Sequence, residues 1–485
     1  MTKTAVLLYF APLVLLAQSQ TVVFTHATVI NADGARPQSD VTVVITGDRI
    51  TDVGKKASFS PQAQVVDASG KFLIPGLWDM HSHIHRAEDL QLFIANGVTG
   101  LRIMGALPAI SQMRTRIERG EEVGPRMAIG SRLMDGTSDP GQPAASPNPT
   151  EAEIAQEWSD VMKGGRPRSI VVRTESEGHQ AVIDAKRGGA EFIKVHEGLS
   201  REAYFAIAAE TKKQGLIFVG HVPPLVSAAE ASDAGQTSIE HSQGVLLACS
   251  TREEELLKAT EDLASQQPDQ RASGLAKIQR ETLDSYSQDK AMSLTGRFVR
   301  NRTWQCPTLT SRFGTKERAA RSGPTLHYIS AQMRARWQRG LSSLPQSTPE
   351  QQAAAQTLDQ KLIEMVGMMH RGGVQFLAGT DVGGAFLVPG FSMHDELEEL
   401  VKAGFTSMEA LRAATLDAAR FLGREKDLGT IQKGKLADLV VLDANPLDDI
   451  RNTRKIDAVI ARGRLLDRKA LDAALFQVET ASGKQ

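Results

Sequence analysis

Asp79-Met80-His81-Ser82-His83 ends the apolar run Phe72-Leu73-Ile74-Pro75-Gly76-Leu77-Trp78. On an extended strand residues i and i+2 point to one side, so His81 and His83 can grip one cation together. At long intervals follow Lys194, His221, His241 and Asp381, each where a strand is predicted to end. Neutral imidazole and carboxylate suit zinc and its divalent neighbours, manganese and cobalt included. His81, His83 and Asp381 would hold one ion, and His221 with His241 a second. The chemistry this predicts is metal-dependent hydrolysis.

Lys194 is an unexpected companion, because burying an uncompensated ammonium is costly and drives its pKa down. A neutral lysine amine can add carbon dioxide, and the resulting carbamate offers two anionic oxygens that can span two ions. Such a pair of ions activates water and polarises a carbonyl oxygen. Asp381 is the expected proton shuttle, accepting the water's proton and delivering it to the leaving nitrogen. His196, two residues beyond Lys194, is a candidate to hydrogen-bond a substrate carbonyl or carboxylate; the alternative is a rim histidine. Arg102, after Val98-Thr99-Gly100-Leu101, is a candidate clamp for an anionic substrate group; the alternative is a structural ion pair. His85 falls just past the ligands. His394 is read as a helix-start residue.

Strand–helix alternation must position these residues. Phe192-Ile193-Lys194-Val195 reads as a strand, followed by a helix capped at Ser200 with apolar Tyr204, Ile207 and Ala208 and a stop at Gly215. Leu216-Ile217-Phe218-Val219 then runs into Gly220-His221, Ser227-Ala228-Ala229-Glu230 is a capping box, and Ser238-Ile239-Glu240-His241 is the next strand. Such alternation implies a parallel sheet, and in a (β/α)₈ barrel the strand C-termini converge on the face where chemistry occurs. β-rich runs at Thr21–Phe24, Val41–Ile45 and Gln64–Asp67 are matched near the C-terminus by Ala437–Leu442 and Ile456–Ile460. The expected organisation is therefore a TIM-like barrel over residues 75–424. Residues 20–74 and 425–485 are expected to form one small composite β-sheet domain built from both ends. The polar helical stretches 251–300 and 315–372 are expected as excursions outside the barrel, or as a lid.

The 485 residues suggest a large domain plus a smaller one. Lys and Arg total 56 against 57 acidic residues, so no electrostatic term favours nucleic acid or anionic membrane. A small-molecule substrate is the expected partner, and a homo-oligomer remains open. Lys3 precedes an unbroken apolar stretch from Ala5 to Ala17, followed by Gln18-Ser19. That is the pattern of a secretory signal over residues 1–19, too short to span a bilayer, which needs about 20 apolar residues. The mature chain is expected in the periplasm or secreted, with no integral membrane segment. The two cysteines, Cys249 and Cys306, are expected as free thiols, with one bridge as the alternative.

Taken together, Pro75–His83, Phe192–Val195, Val219–His221, Ile239–His241, Ala378–Asp381 and the tail Leu428-Gly429-Thr430-Ile431-Gln432-Lys433-Gly434-Lys435-Leu436-Ala437-Asp438 resemble the amidohydrolase superfamily. The branch is the imidazolonepropionase-like one that includes metal-dependent Xaa-Pro dipeptidases. The resemblance implies a (β/α)₈ barrel with a β-sandwich from both ends, and two divalent metals bridged by a carboxylated Lys194. Two features depart from it: Arg102 is followed by Ile103 rather than Asp, and Asp135–Pro140 contains no histidine. The activity expected is hydrolysis of an amide C–N bond in a peptide-like or N-acyl amino acid substrate. Alternatives are a cyclic amide, lactone or phosphoester, or a metal-holding protein without catalysis.

Overall fold

The computed structural model describes residues 21–137, 144–146, 149–162, 167–263, 266–344 and 348–484. The expected leader lies outside them.

Seven parallel strands form the barrel wall: Leu77–Ser82, Val98–Ile103, Arg126–Asp135, Phe192–Val195, Phe218–Gly220, Ser238–Glu240 and Trp304–Cys306. The eighth stave, residues 375–382, is not a regular strand, yet its backbone closes the ring. Gln305 N donates to Gln375 O, Leu377 N to Gln305 O, Met80 N to Ala378 O and Asp381 N to His81 O. Period-two alternation then sorts the side chains. Ile193, Phe218, Ile239 and Phe376 pack outward under the helices, whereas Phe192, Val219, Trp304 and Leu377 share one interior cluster. Lys194, His221 and Asp381 fall in phase with Phe192, Val219 and Leu377, so each points inward at the C-terminal end of its stave.

The intervening helices form where the caps direct. Ser200 Oγ accepts from Ala203 N and opens Arg201–Lys213; Ser227 and Glu230 complete the expected capping box of Ala228–Asp233. The polar stretch at 251–300 divides. Glu253–Leu263 and Pro268–Asp284 stand outside, but Gln288–Asn301 sends Leu294 and Phe298 into the barrel core. The last half of Pro349–Arg371 likewise buries Leu362, Met365, Val366 and Met369. These segments are barrel helices, a role that their polar outer faces conceal in the sequence.

Strands from both ends make one eight-stranded sheet. In space Arg464–Asp467, Ile456–Ala461, Leu439–Leu442, Phe72–Pro75, Thr21–Val29, Gln38–Thr46 and Arg49–Gly54 lie side by side, and Gln64–Asp67 also pairs with Thr21–Val29. The sheet folds round until its last strand meets the segment entering Leu439, through Ile50 N donating to Lys435 O. It thereby encloses its own core of Phe24, Val43, Ile45, Leu439, Val441 and Ile460. Helix Arg468–Lys484 leaves this sheet: its Leu471 and Val478 are buried, and Ser482 Oγ donates to Tyr328 O. No helix among the described residues is long and apolar enough to cross a membrane.

Candidate metal centre

His81 and His83 bring their Nε2 atoms to the same Asp381 oxygen, each at 3.4 Å. Donor atoms about 3.4 Å apart are what a tetrahedral shell with bonds of roughly 2.1 Å requires. Among the described residues these three form one of two clusters able to hold an ion. Asp381 adopts a left-handed φ of 59°, which turns its carboxylate back over the first strand. Burial opposes its ionisation, yet His241, His83 and His81 hold the carboxyl well below the usual range.

The second group lies against the first. The His241 ring is centred 4.6 Å from that of His81 and 4.8 Å from that of His221. Thr308 Oγ1 lies 2.6 Å from His241 Nδ1. His221 Nδ1 is buried with no hydrogen-bond partner. Lys194 Nζ is also buried and unpartnered; burial, first of all, pushes its pKa down to about 8. A buried amine and a buried imidazole nitrogen without hydrogen bonds, the latter 3.9 Å from Glu197 Oε2, amid nitrogen and oxygen donors fit a divalent-metal site. Gly220 is obligatory here: at φ +132° a Cβ would sit 2.2 Å from Val195 O, so only glycine lets Lys194 and His221 come this close.

The carboxylate behind the histidines is Glu240, which the sequence reading passed over. It accepts from His81 Nδ1 at 2.8 Å, from Arg102 Nη2 at 2.9 Å on both oxygens, and from the Ser238 hydroxyl. Burial works against its charge, but the Arg102 guanidinium and His81 hold it well below the usual carboxylate range. Arg102 is therefore not a substrate clamp. Its side chain is wholly buried, with Nη1 on Ser238 Oγ, Nε on Met80 O and the guanidinium over Phe421. The reason is parity: Arg102 faces into the barrel below the mouth, and its partner lies 138 positions away. The second cluster, His81, Glu240 and Cys306, is the support of His81 rather than another ion site. Glu240 is already saturated, and burial raises the Cys306 thiol far above its usual pKa.

Asp79 ties the first stave to the eighth. It accepts from His81 N at 3.1 Å, Thr380 N at 3.0 Å and Thr380 Oγ1 at 2.6 Å; burial lifts its pKa to about 7 against those bonds. His196 stands at the rim, its ring centred 4.4 Å from that of His221, with Nδ1 2.6 Å from Asp135 Oδ2. Asp135 ends the third strand and offered no signal beyond that position. His394 lies in the first turn of the helix Phe391–Lys402, where it is buried with Nδ1 3.0 Å from Thr453 Oγ1. Cys249 and Cys306 are both free and buried.

An inward-facing cluster of histidines, lysine and aspartate at the C-terminal mouth of a barrel is a candidate divalent-metal site. Residues 286–466 match the model of the amidohydrolase family. The chain is similar to adenine deaminase 2 of Rhizobium meliloti, with 41% identity over 91 residues, 19% of this chain and 14% of that protein. It is similar also to an imidazolonepropionase of Shouchella clausii, with 38% identity over 64 residues, 13% of this chain and 14% of the other. The matched segments thus span about a seventh of these relatives' length. The solved structure of a bottromycin amidohydrolase shares the fold, with a TM-score of 0.72 and 22% identity over 96% of this chain and 91% of that one.

Proposed function

We propose that this chain is an exported metal-dependent amidohydrolase that cleaves an amide C–N bond in a peptide-like or N-acyl amino acid substrate. One observation carries the reading: His81 and His83 converge on one Asp381 oxygen beside a buried, unpartnered Lys194 amine. His81, His83 and Asp381 would hold one divalent ion, His221 and His241 a second, with zinc the first candidate and a carboxylated Lys194 between them. Bound ions supply Lewis acidity and lower the pKa of water enough to make it a nucleophile at neutral pH.

The chain's own groups do the rest. As the neutral amine, Lys194 Nζ bonds to the carbon of carbon dioxide and loses one proton to give a carbamate, an anion where an ammonium would repel the ions. Asp381 accepts the proton of the attacking water as oxygen bonds to the carbonyl carbon. It returns that proton to nitrogen as the C–N bond breaks. Asp135 fixes the His196 ring and leaves Nε2 for a substrate carbonyl or carboxylate. Glu240, fixed in turn by Arg102, orients His81 in the manner of outer carboxylates at metal-bound histidines. Export is supported by Lys3 and the apolar stretch from Ala5 to Ala17.

The match to an adenine deaminase favours a second reading, hydrolytic release of ammonia from a cyclic substrate. Elemental analysis of protein purified without chelator, with a panel of N-acyl amino acids, dipeptides and aminopurines, separates the two. Two ions per chain and chelator-sensitive amide hydrolysis are expected. One ion with deamination alone would replace the first reading by the second.

A further inference from the structure

The helices that stand outside the barrel build a cavity beside the proposed centre. Glu253–Leu263 and Pro268–Asp284 face the loops that follow His221 and His241, leaving a space of about 290 Å³. Its walls include Val222, Leu246, Leu257, Ile278 and Leu362. Val222 and Ser242 directly follow His221 and His241 in the chain and line the cavity, so cavity and centre share these two loops. The lining is aliphatic over most of its extent, and its carboxylate Glu253 is occupied by Lys290 at 2.7 Å.

Arg312 is the one guanidinium on that wall. Its Nη1 donates to His241 O at 3.2 Å, and its Nε is buried without a partner. The acidic group it senses is Asp359, at longer range. A largely desolvated cation without a contacting carboxylate costs free energy that an incoming anion would offset. A carboxylate matches the planar fork of a guanidinium better than any other common organic anion except phosphate.

We propose that this cavity and Arg312 seat the leaving half of the substrate: an amino acid whose apolar side chain fills the cavity while its α-carboxylate pairs with Arg312. The nitrogen between them would then lie at the loops after His221 and His241, the segments that cavity and centre share. This rests on the amide-hydrolysis reading above and narrows it to N-acyl or N-peptidyl derivatives of bulky apolar amino acids. Arg312 selects substrate rather than moving protons.

The test uses the metal-loaded full chain with N-acetyl-leucine, N-acetyl-glycine and N-acetyl-leucinamide as substrates, and calorimetric binding of free leucine. The leucine acid is expected to be preferred over the glycine acid by roughly tenfold or more in kcat/KM, the range that apolar pockets discriminate. Arg312→Gln should raise KM for the acid by about tenfold to hundredfold while leucinamide changes by less than about threefold, and Arg312→Lys should restore part of the loss. Leu257→Trp should erase the preference for leucine over glycine. Equal losses on acid and amide would make Arg312 a support of His241 and overturn the proposal. So would a carboxylate-specific loss in Arg318→Gln instead, since Arg318 lines a different cavity with Phe313 and Phe386. Leucine binding that depends on Arg312 without any hydrolysis would sustain the subsite and sink the amide-hydrolysis reading. Hydrolysis indifferent to Arg312 would do the reverse, and neither binding nor hydrolysis would sink both.

Discussion

Glu240 and Arg102 show how a buried pair can serve a site from beneath. Two 2.9 Å contacts join them, and the same carboxylate reaches His81 Nδ1. Glu240→Gln should weaken metal affinity about 10–100-fold, the usual cost of removing a carboxylate behind a liganding histidine. It should also lower stability by roughly 3–5 kcal/mol, because Arg102 keeps its charge without a partner. A competitive chelator titration reads the first effect and denaturant unfolding of the metal-free protein the second; an unchanged affinity would reduce Glu240 to a purely structural role. Asp381→Asn is expected to lower turnover by about 10²–10⁴-fold, the range of a lost general acid–base, with the metal-free protein still folded by circular dichroism. Lys194 predicts a dependence on carbon dioxide: metal-free protein should recover activity with zinc plus bicarbonate, and recover far less when bicarbonate is excluded. Equal recovery in both would mean that the lysine is unmodified. His81, His83, Lys194, His221, His241 and Asp381 were legible from the sequence because each ends a short apolar run, and parity in a strand carries direction. For Arg102 the structural ion pair, the alternative to a clamp, is what the structure shows; its partner Glu240 was not legible, because that partner is set by closure of the ring and not by any local pattern.

At the scale of elements, the strands were legible where an apolar run meets a polar functional residue, as at Phe192–Val195. The eighth stave was read as a strand, but residues 375–382 carry isolated bridges instead. Gly379 packs against Cys306 and His81, and Asp381 turns to φ 59°. The ladder is broken where the aspartate must be aimed. Gln288–Asn301 escaped recognition as a barrel helix because its apolar stripe, Leu294 and Phe298 among it, is narrow beside an otherwise polar surface. The fifth strand is the sharpest test of how backbone serves the site. Gly220→Ala would force a methyl to 2.2 Å from Val195 O at a φ of +132°, which no L side chain adopts without strain. The expected result is a loss of at least about 2 kcal/mol of stability, with metal binding reduced below two ions per chain. A variant that kept both ions and its midpoint would show that the strand can shift without moving Lys194 and His221.

For the whole molecule, the question is why the sheet made from both ends accompanies the barrel at all. The tail Leu428–Asp438 was recognisable in sequence, yet nothing in its residue types pointed to chemistry, and the structure gives it a mechanical part. Lys435 Nζ donates to the carbonyls of Glu425 and Leu428, and Leu428 and Leu436 join Phe421 in the interior cluster under the barrel. Asp438 then joins the two bodies. One oxygen accepts from Arg126 Nε at 2.5 Å, at the start of the third barrel strand. The other accepts from Arg462 N at 2.8 Å, and its carbonyl accepts from Gly76 N at 2.8 Å, just before the first strand. Both members of the Arg126–Asp438 pair are buried, so removing one leaves an uncompensated charge that costs roughly 3–5 kcal/mol. The intact chain should therefore unfold from its barrel floor and its sheet in a single calorimetric transition. Asp438→Asn should divide that transition in two, because the link that makes the sheet's folding depend on the barrel's is severed. If the variant still melts in one step at the wild-type temperature, the shared apolar cluster couples the two bodies unaided. The ion pair then serves only to set their register, and the candidate metal site, at the opposite end of the staves, should be indifferent to it.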